Sequence, residues 1–296
     1  MSSIATFDLT TRCPLRCRHC YVAADSLTDL DDEPYVARLT ELRDEHGIRS
    51  AFWLGGEPLL RVELLRRAIR LFARNAVVTS AAVVVPADLQ AGVLVSVDGP
   101  RRSHDHLRGR GSYDRVLRNV AALPRRSFVL STTLTSETLE AVERLDEIVE
   151  ETGAAAVLVG FHVGRPGDPL NVTGARRDRT IDRLCELSSR RPQLIANTVA
   201  GLQRLRPRAA ADTAVNCIYR GGATAFDAQL QPKVPCTFGE HAGCQQCGCA
   251  VVAEQRARAL GNVESLQVLN RLFPRCTELD ARGRALRTSS RRRCSR

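Results

Sequence analysis

Lysine is almost missing from this sequence. Lys233 is the only lysine of the 296 residues, so arginine supplies nearly all of the 43 basic side chains and the net charge of +10. Because the arginines are spread along the whole chain, we attribute them to the base composition of the genome and expect no nucleic-acid partner. The one dense run, Arg291 to Arg293, is expected to be a solvated tail.

Long apolar runs are missing as well. No segment approaches the roughly 18 apolar residues that a membrane-spanning helix needs, and the first residues, MSSIATFDLTTRC, lack the basic and then apolar order of a secretory signal. No repeat of fixed period and no low-complexity tract is present. With 44% hydrophobic residues, these absences predict a globular, cytoplasmic protein with a large core and no membrane partner.

Cysteine is absent between Cys20 and Cys185, which leaves two separate groups among the 11 cysteines. Clustered thiols in a long chain of cytoplasmic character indicate metal binding rather than a disulfide framework. The first group, in TTRCPLRCRHCY, is C-x3-C-x2-C. Thiolates suit iron–sulfur clusters and zinc, which normally take four ligands, so three leave one metal position open for a substrate or cofactor.

The residues of this first group also allow two alternatives to such an open metal site. One is a zinc knuckle completed by His19, which we disfavour because His19 lies between Cys17 and Cys20, where a fourth ligand is badly placed. The second is a set of unligated core thiols, which we disfavour because the arginines and the proline of this stretch make it polar and loop-like.

Strand-like and helix-like segments alternate over the first two thirds of the chain, the pattern of βα units wound into a parallel sheet. The predicted strands are residues 4–9, 51–56, 76–80, 93–98, 128–134 and 155–163, and the predicted helices include 34–46, 63–74, 112–123, 137–152 and 178–190. Six units that start with a strand predict an α/β fold, a partial (β/α)6 TIM-like barrel with functional residues at the C-terminal ends of the strands. Farther on, ATAFDAQLQPKVPC predicts a short hairpin.

Glycines and carboxylates follow two of the predicted strands. Strand two ends in GGEP at 55–58, where two glycines let backbone approach a ligand and Glu57 adds an acceptor, although GGEP alone could be a turn. Ser96 and Asp98 lie two apart in strand four and so point to one face, although Asp98 could also cap a turn. We interpret the nearby sequence 104–106, His-Asp-His, as part of a hydrogen-bonded structural loop and not as a metal site.

Together the C-x3-C-x2-C motif, GGEP and SVDGPRRSHDHLRGRGSYDRVLRNV resemble the radical S-adenosylmethionine (radical SAM) enzymes over residues 4–163. The resemblance implies a [4Fe–4S] cluster on Cys13, Cys17 and Cys20, whose fourth iron is chelated by S-adenosylmethionine. The residues that it implies for binding this cofactor are His19, near the adenine, and Gly55, Gly56, Glu57, Ser96 and Asp98. Thr79-Ser80-Ala81 departs from the Thr-Asn-Gly that is common in relatives.

By the same resemblance, reductive cleavage of S-adenosylmethionine would give a 5′-deoxyadenosyl radical that modifies a peptide or a small metabolite. The electron would come from a reductant such as flavodoxin or ferredoxin. The alternative from another class is a non-catalytic iron–sulfur or zinc-binding protein that interacts with a partner through its basic surface. GGEP and SVDG argue against that alternative, because a metal knuckle would not need them.

A second cysteine group surrounds the predicted hairpin with the spacing C-x18-C-x7-C-x2-C-x-C. Its members are Cys217, Cys236, Cys244, Cys247 and Cys249. The group resembles the SPASM or twitch extensions of radical SAM enzymes, which carry an auxiliary [4Fe–4S] cluster, although Gln231 replaces their usual glycine. Structural zinc on four of the five thiols is the alternative, and the fifth could be a donor or a reactive thiol.

We therefore divide the chain into three parts. Residues 1–195 are the predicted radical SAM core, 196–262 a small cysteine-rich C-terminal domain, and 263–296 a C-terminal helix with a basic tail.

Overall fold

The computed structural model describes residues 3–22 and 28–275. Cys276, Cys294 and the basic tail lie outside these ranges. The strands are β1 Ser3–Asp8, β2 Ile48–Leu54, β3 Arg74–Thr79, β4 Gly92–Ser96, β5 Val129–Leu134, β6 Val157–Phe161, β7 Ala223–Phe226 and β8 Pro232–Lys233.

A helix follows each of the strands β1 to β6 except β3. They are α1 Asp32–His46, α2 Val62–Ile69, α3 Arg101–Arg108, α4 Ser112–Val120, α5 Leu145–Thr152, α6 Gly174–Arg190, α7 Val199–Arg204, α8 Pro207–Val215, α9 Ala250–Ala259 and α10 Val263–Leu272. Short 3-10 turns precede α2 at Pro58–Arg61 and α5 in the segment Leu139–Arg144. Among the described residues, no helix has both the length and the apolar character needed to cross a membrane.

One sheet holds all eight strands in the order β6-β5-β4-β3-β2-β1-β7-β8. Strands β1 to β6 pair in parallel, and the order places β6 and β8 at opposite edges, so the sheet is open. This confirms the predicted α/β class and the partial TIM-like barrel. The predicted hairpin is β7–β8, and β7 pairs in parallel with β1.

Both faces of the sheet are buried, which explains the nearly continuous apolar runs of its strands. Phe7, Trp53 and Val77 belong to the core that the strands form with the surrounding helices. The opposite face carries residues such as Leu94 and Leu158, and it packs against residues 250, 272 and 273 of the C-terminal segment. The C-terminal residues thus share the core of the sheet, while the proposed division into three parts stays a prediction.

Two connections differ from the predicted pattern. Residues 80–91, between β3 and β4, contain no helix, because Pro86 interrupts the segment and Val85 is instead fixed by a hydrogen bond from its N–H to the carbonyl of Asn119. The stretch that the pattern predicts as a polar loop forms α3, so the His-Asp-His sequence is helical. Few of its residues are apolar, so the hydrophobic pattern could not indicate this helix.

Candidate active site

A cavity of about 240 Å³ opens where the parallel strands end. Of the residues predicted for the first cluster and its cofactor, those that line the cavity are Cys13, Cys17, Cys20, His19, Gly55, Gly56 and Ser96. Its inner wall is apolar and includes Phe52 and Leu94 of the inward-facing core. The cysteine loop and the ends of β2 and β4 therefore meet at one place, as the motifs predicted, while the binding role of each residue stays a prediction.

The cysteine loop follows β1 and is fixed by its backbone. The N–H of Cys20 donates to the carbonyl of Cys17 at 3.1 Å, and the N–H of Arg18 donates to the carbonyl of Leu107, in α3, at 2.9 Å. Burial raises the pKa of Cys13 to about 11, and the charges of Glu57 and of the other two cysteines add to the shift. Without a bound metal the Cys13 thiol stays protonated at neutral pH, so a metal must displace its proton when it binds.

The two glycines of GGEP let two backbone segments touch. The N–H of Gly56 donates to the carbonyl of Thr10 at 2.7 Å, and the next N–H donates to the carbonyl of Arg12 at 2.9 Å. A Cβ on Gly55 would lie 2.4 Å from the Thr10 oxygen, and a Cβ on Gly56 would lie 2.2 Å from the Arg12 oxygen. Only glycine permits this approach, which holds the cysteine loop against the end of β2.

Gly56→Ala is therefore expected to displace the cysteine loop. The clash should lower the free energy of unfolding by about 2–3 kcal/mol and should lower iron binding at the predicted ligands Cys13, Cys17 and Cys20. Gly221→Ala is the matched control, because residue 221 has an extended φ of 175° and a Cβ there would meet nothing within 4 Å. Iron per chain and the thermal midpoint of both variants check this; equal iron in both would contradict it.

Glu57 is completely buried, and its carboxylate is fully engaged by the protein. One oxygen accepts from the hydroxyl of Thr79 at 2.7 Å and from the N–H of Leu59 at 3.1 Å. The other accepts from the N–H of Ser80 at 2.8 Å and from its hydroxyl at 2.5 Å. Glu57 thus joins the ends of β2 and β3, and Ser80, which replaces the usual asparagine, lines the cavity beside it.

Asp98 is also completely buried and forms the centre of a charged cluster. The Nε of Arg108 donates to its Oδ2 at 2.6 Å, and the Nε2 of His19 lies 3.2 Å from the same oxygen. The N–H of Thr133 donates to Oδ1 at 3.0 Å. Burial alone would raise the pKa of Asp98, but the charges and hydrogen bonds of Arg108 and His19 outweigh burial and hold this pKa far below its ordinary value.

Arg108 was not predicted as a site residue, although it connects α3 to the cysteine loop. Its guanidinium lies 4.0 Å from the Sγ of Cys17 and lines the cavity.

The helix α3 that contains Arg108 is further fixed by His104, whose pKa is lowered to about 4 by burial. His104 is therefore neutral, and its Nδ1 accepts from the backbone N–H of Asp98 at 3.3 Å. Asp105 binds the backbone N–H groups of residues 111 and 113 at the start of α4.

His19 has one ring nitrogen left over. Its Nε2 contacts the Asp98 cluster, whereas its buried Nδ1 has no hydrogen-bond partner in the described protein. Since an unpaired buried polar atom is costly, Nδ1 is suited to a ligand in the cavity. Across from it, His162 at the end of β6 lines the cavity with its ring edge-on to His19, and its Nε2 lies 3.0 Å from Asp168.

The second cysteine group lines a separate cavity of about 320 Å³. All five of its cysteines contribute to this cavity. At two glycines, the loop that carries these cysteines packs directly against the backbone at the end of β6. A Cβ on Gly243 would lie 2.1 Å from the carbonyl oxygen of Gly164, and a Cβ on Gly248 would lie 2.2 Å from that of Phe161, so a larger residue would clash at either position. The buried Arg177 then binds the carbonyls of Gln246 and Cys247 at 2.8 and 2.6 Å.

Lys233 lies between the two cysteine groups. Its Nζ is 2.5 Å from Oδ2 of the buried Asp8 and 5.2 Å from the ring centre of Tyr21, the residue after Cys20. The sole lysine of the chain therefore links β8 to the end of β1 beneath the cysteine loop. Composition alone could not indicate this role.

The donor set fits an iron–sulfur cluster at the first group. Three thiols, no disulfide partners and a cavity that continues past two glycines leave room for a cluster with an open position. Over residues 3–22 and 28–275, no three His, Cys, Asp or Glu side chains lie close enough to hold a single metal ion.

Comparison with known proteins agrees with these features. Residues 7–152 match the family model of the Radical SAM superfamily. The chain is 28% identical over 206 residues to the AdoMet-dependent heme synthase of Methanosarcina barkeri, covering 62% of this chain and 58% of that protein. It is 31% identical over 167 residues to the pre-heme d1 synthase of Dinoroseobacter shibae, covering 51% of this chain and 41% of that protein. The chain thus spans about half the length of these relatives.

Solved structures share the fold. The structure of native anSMEcpe with bound AdoMet gives a TM-score of 0.59 at 14% identity, covering 90% of this chain and 82% of that one. The structure of Streptococcus suis SuiB bound to S-adenosylmethionine gives 0.57 at 14% identity, covering 77% of this chain and 58% of that one. Since the family model covers the cysteine motif, the GGEP loop and the Asp98 cluster, the chain belongs to the radical SAM superfamily of enzymes.

Proposed function

We propose that this protein binds a [4Fe–4S] cluster on Cys13, Cys17 and Cys20 and cleaves S-adenosylmethionine reductively to a 5′-deoxyadenosyl radical. The observation that carries the proposal is the shared cavity, because all three thiols line it together with Gly55 and Gly56. Members of the matched family supply the precedent for the cofactor. When bound, the cluster supplies the electron for cleavage of the carbon–sulfur bond.

The protein's own residues position the reactants. Gly55 and Gly56 present backbone to the amino-acid end of S-adenosylmethionine, while Glu57, with its carboxylate already satisfied, fixes that backbone. Ser96 offers a hydroxyl at the end of β4, and the free Nδ1 of His19 offers a hydrogen bond to the adenine. Asp98 does not line the cavity itself. It positions Arg108 and His19, which do line it.

The substrate we propose is a peptide or a small molecule that enters the cavity from the side opposite the cysteine loop. SuiB has been solved bound to its precursor peptide SuiA, and anSMEcpe with peptides, whereas the relatives by sequence are named heme synthases. The polar Thr133 and His162 line the wall that such a substrate would meet. The nine described cysteines are all thiols, which suits a cytoplasmic protein reduced by flavodoxin or ferredoxin.

We further propose an auxiliary [4Fe–4S] cluster in the second cavity. Its volume and its five thiol-bearing residues support a cluster, and Arg177 would fix the loop that holds it. Burial raises the pKa of Cys236 to about 11 and that of Cys247 to about 12, so a metal with high charge is needed to hold these groups as thiolates. Zinc on four of these thiols is the competing outcome.

The test is anaerobic reconstitution with iron and sulfide, followed by S-adenosylmethionine and a titanium(III) reductant. We expect 5′-deoxyadenosine and methionine in equal amounts by liquid chromatography and mass spectrometry. Iron, zinc and sulfide per chain identify the metal in each group. A protein that binds iron at the first group but forms no 5′-deoxyadenosine would instead be a non-catalytic metal-binding protein.

A further inference from the structure

The second group contains one thiol more than a metal group needs. A [4Fe–4S] cluster and a structural zinc ion each take four protein ligands, and five cysteines line the second cavity. Whichever metal is bound, one cysteine is left for another role. Sequence spacing does not tell which one it is.

The two cavities distinguish the five cysteines. Cys249 lines both the second cavity and the cavity at the strand ends, whereas the other four line only the second. Val163 and Phe238 are likewise common to both cavities, so these residues and Cys249 form the wall between them. Cys249 is thus the member of its group that reaches the space where the radical would form.

Rigid elements fix the position of Cys249. The residue before it, Gly248, accepts a hydrogen bond from the N–H of Phe161, at the end of β6, at 2.9 Å. Cys249 itself precedes α9, and its carbonyl accepts from the N–H of Ala253 at 3.0 Å. A side chain held between a strand end and a helix start has little freedom, which suits a group that must meet a short-lived reactant.

We propose that Cys217, Cys236, Cys244 and Cys247 bind the auxiliary metal group and that Cys249 is a thiol that donates a hydrogen atom in the radical cavity. This rests on the proposed function. In the catalytic cycle the 5′-deoxyadenosyl radical takes a hydrogen atom from a substrate C–H bond, and the substrate radical then takes one from the S–H bond of Cys249. One electron from the reductant and one proton from water restore the thiol. The net result is a substrate altered at a carbon centre without net oxidation, such as an inverted stereocentre.

The donor can be tested before a substrate is known. In D2O the S–H group exchanges to S–D, and without substrate the 5′-deoxyadenosyl radical abstracts that deuterium. Titanium(III) citrate, with no added thiol, reduces the resulting sulfur radical. We expect the wild-type holoenzyme to form 5′-deoxyadenosine heavier by one mass unit, and Cys249→Ser to form only the unlabelled compound. Cys185→Ser, which removes a thiol on α6 outside both cavity linings, should keep the label.

A second readout is independent of activity. Iron per chain should be unchanged in Cys249→Ser and should fall in Cys247→Ser. Loss of iron in Cys249→Ser, unchanged iron in Cys247→Ser, or unlabelled product from the wild type would each overturn the assignment. Failure to form any 5′-deoxyadenosine would refute the proposed function itself and would leave the iron contents of the two variants to decide the ligand set.

Discussion

Cys17→Ser is expected to lower the rate of 5′-deoxyadenosine formation by at least about 1000-fold, because a serine oxygen is a poor ligand for a cluster that prefers thiolate. Cys13 and Cys20 are the other two thiols that the first group brings to the cavity, and the proposed cluster already needs both as ligands. The position also lies next to the guanidinium of Arg108, which would balance the negative charge of a bound thiolate. Anaerobic assay of the reconstituted variant gives the rate.

The matched control is Cys185→Ser. Cys185 is half-buried on α6, where its sulfur accepts a hydrogen bond from Gln203 at 3.5 Å, and it lies outside both cavity linings. This variant should retain the wild-type rate and iron content. If Cys17→Ser formed 5′-deoxyadenosine at a comparable rate, the first cysteine group would not hold the catalytic cluster.

Arg108→Met should destabilise the protein at neutral pH by about 3–5 kcal/mol, because it leaves the buried charge of Asp98 without its main partner. Asp98 is completely buried, and the Arg108 side chain is 10% exposed. The control is Arg101→Met on the same helix, whose partner Asp114 is about half exposed, so that solvent screens the pair and the urea midpoint should hardly change. Urea unfolding of the anaerobically purified proteins at pH 7 measures both effects.

Arg108→Met should also reverse the pH dependence of the contribution that Asp98 makes to the free energy of unfolding. In the wild type the pKa of Asp98 is depressed, so its contribution to stability is complete above the ordinary value of 3.8 and declines as the pH falls toward the folded pKa. Without Arg108, less opposes the effect of burial, so the pKa of Asp98 rises. Protonation of Asp98 as the pH falls would then remove the unpaired buried charge and stabilise the variant. The difference between wild type and Arg108→Met should therefore shrink between pH 8 and pH 5. An unchanged difference would show that Asp98 is already neutral in the variant or is stabilised by other groups.

Local pattern predicted most of the scaffold. The strands are short apolar runs that end in polar motifs, so their existence and order followed from the sequence, and the ends of β2 and β4 brought GGEP and Ser96 to the cysteine loop. The helix α3 was missed because its sequence lacks an apolar stripe, and the pairing of β7 with β1 was missed because strand partners far apart in sequence leave no local signal.

The charged part of the site could not be read in the same way. Arg108 is 91 residues from Cys17, and only the fold brings the two together. Asp98 and Glu57 were predicted to face the cofactor, but whether a carboxylate meets a ligand or a neighbouring strand depends on packing that spacing does not encode. His162 carried no sequence signal beyond its place in an apolar strand. Its position opposite His19 is evident only from the cavity that both residues line.

The pairing of β7 with β1, and the contact of Gly248 with β6, have a consequence for biosynthesis. The family-matching segment ends at residue 152, yet the outer edge of β1 pairs with β7, and the inner face of the sheet packs against Ala250, Leu272 and Phe273. A nascent chain that has exposed the cysteine loop but not these residues has an open strand edge and no enclosed pocket. Iron–sulfur insertion should accordingly wait until these later residues have been synthesised and have packed, and a fragment cut at residue 152 should aggregate instead of serving as a minimal enzyme.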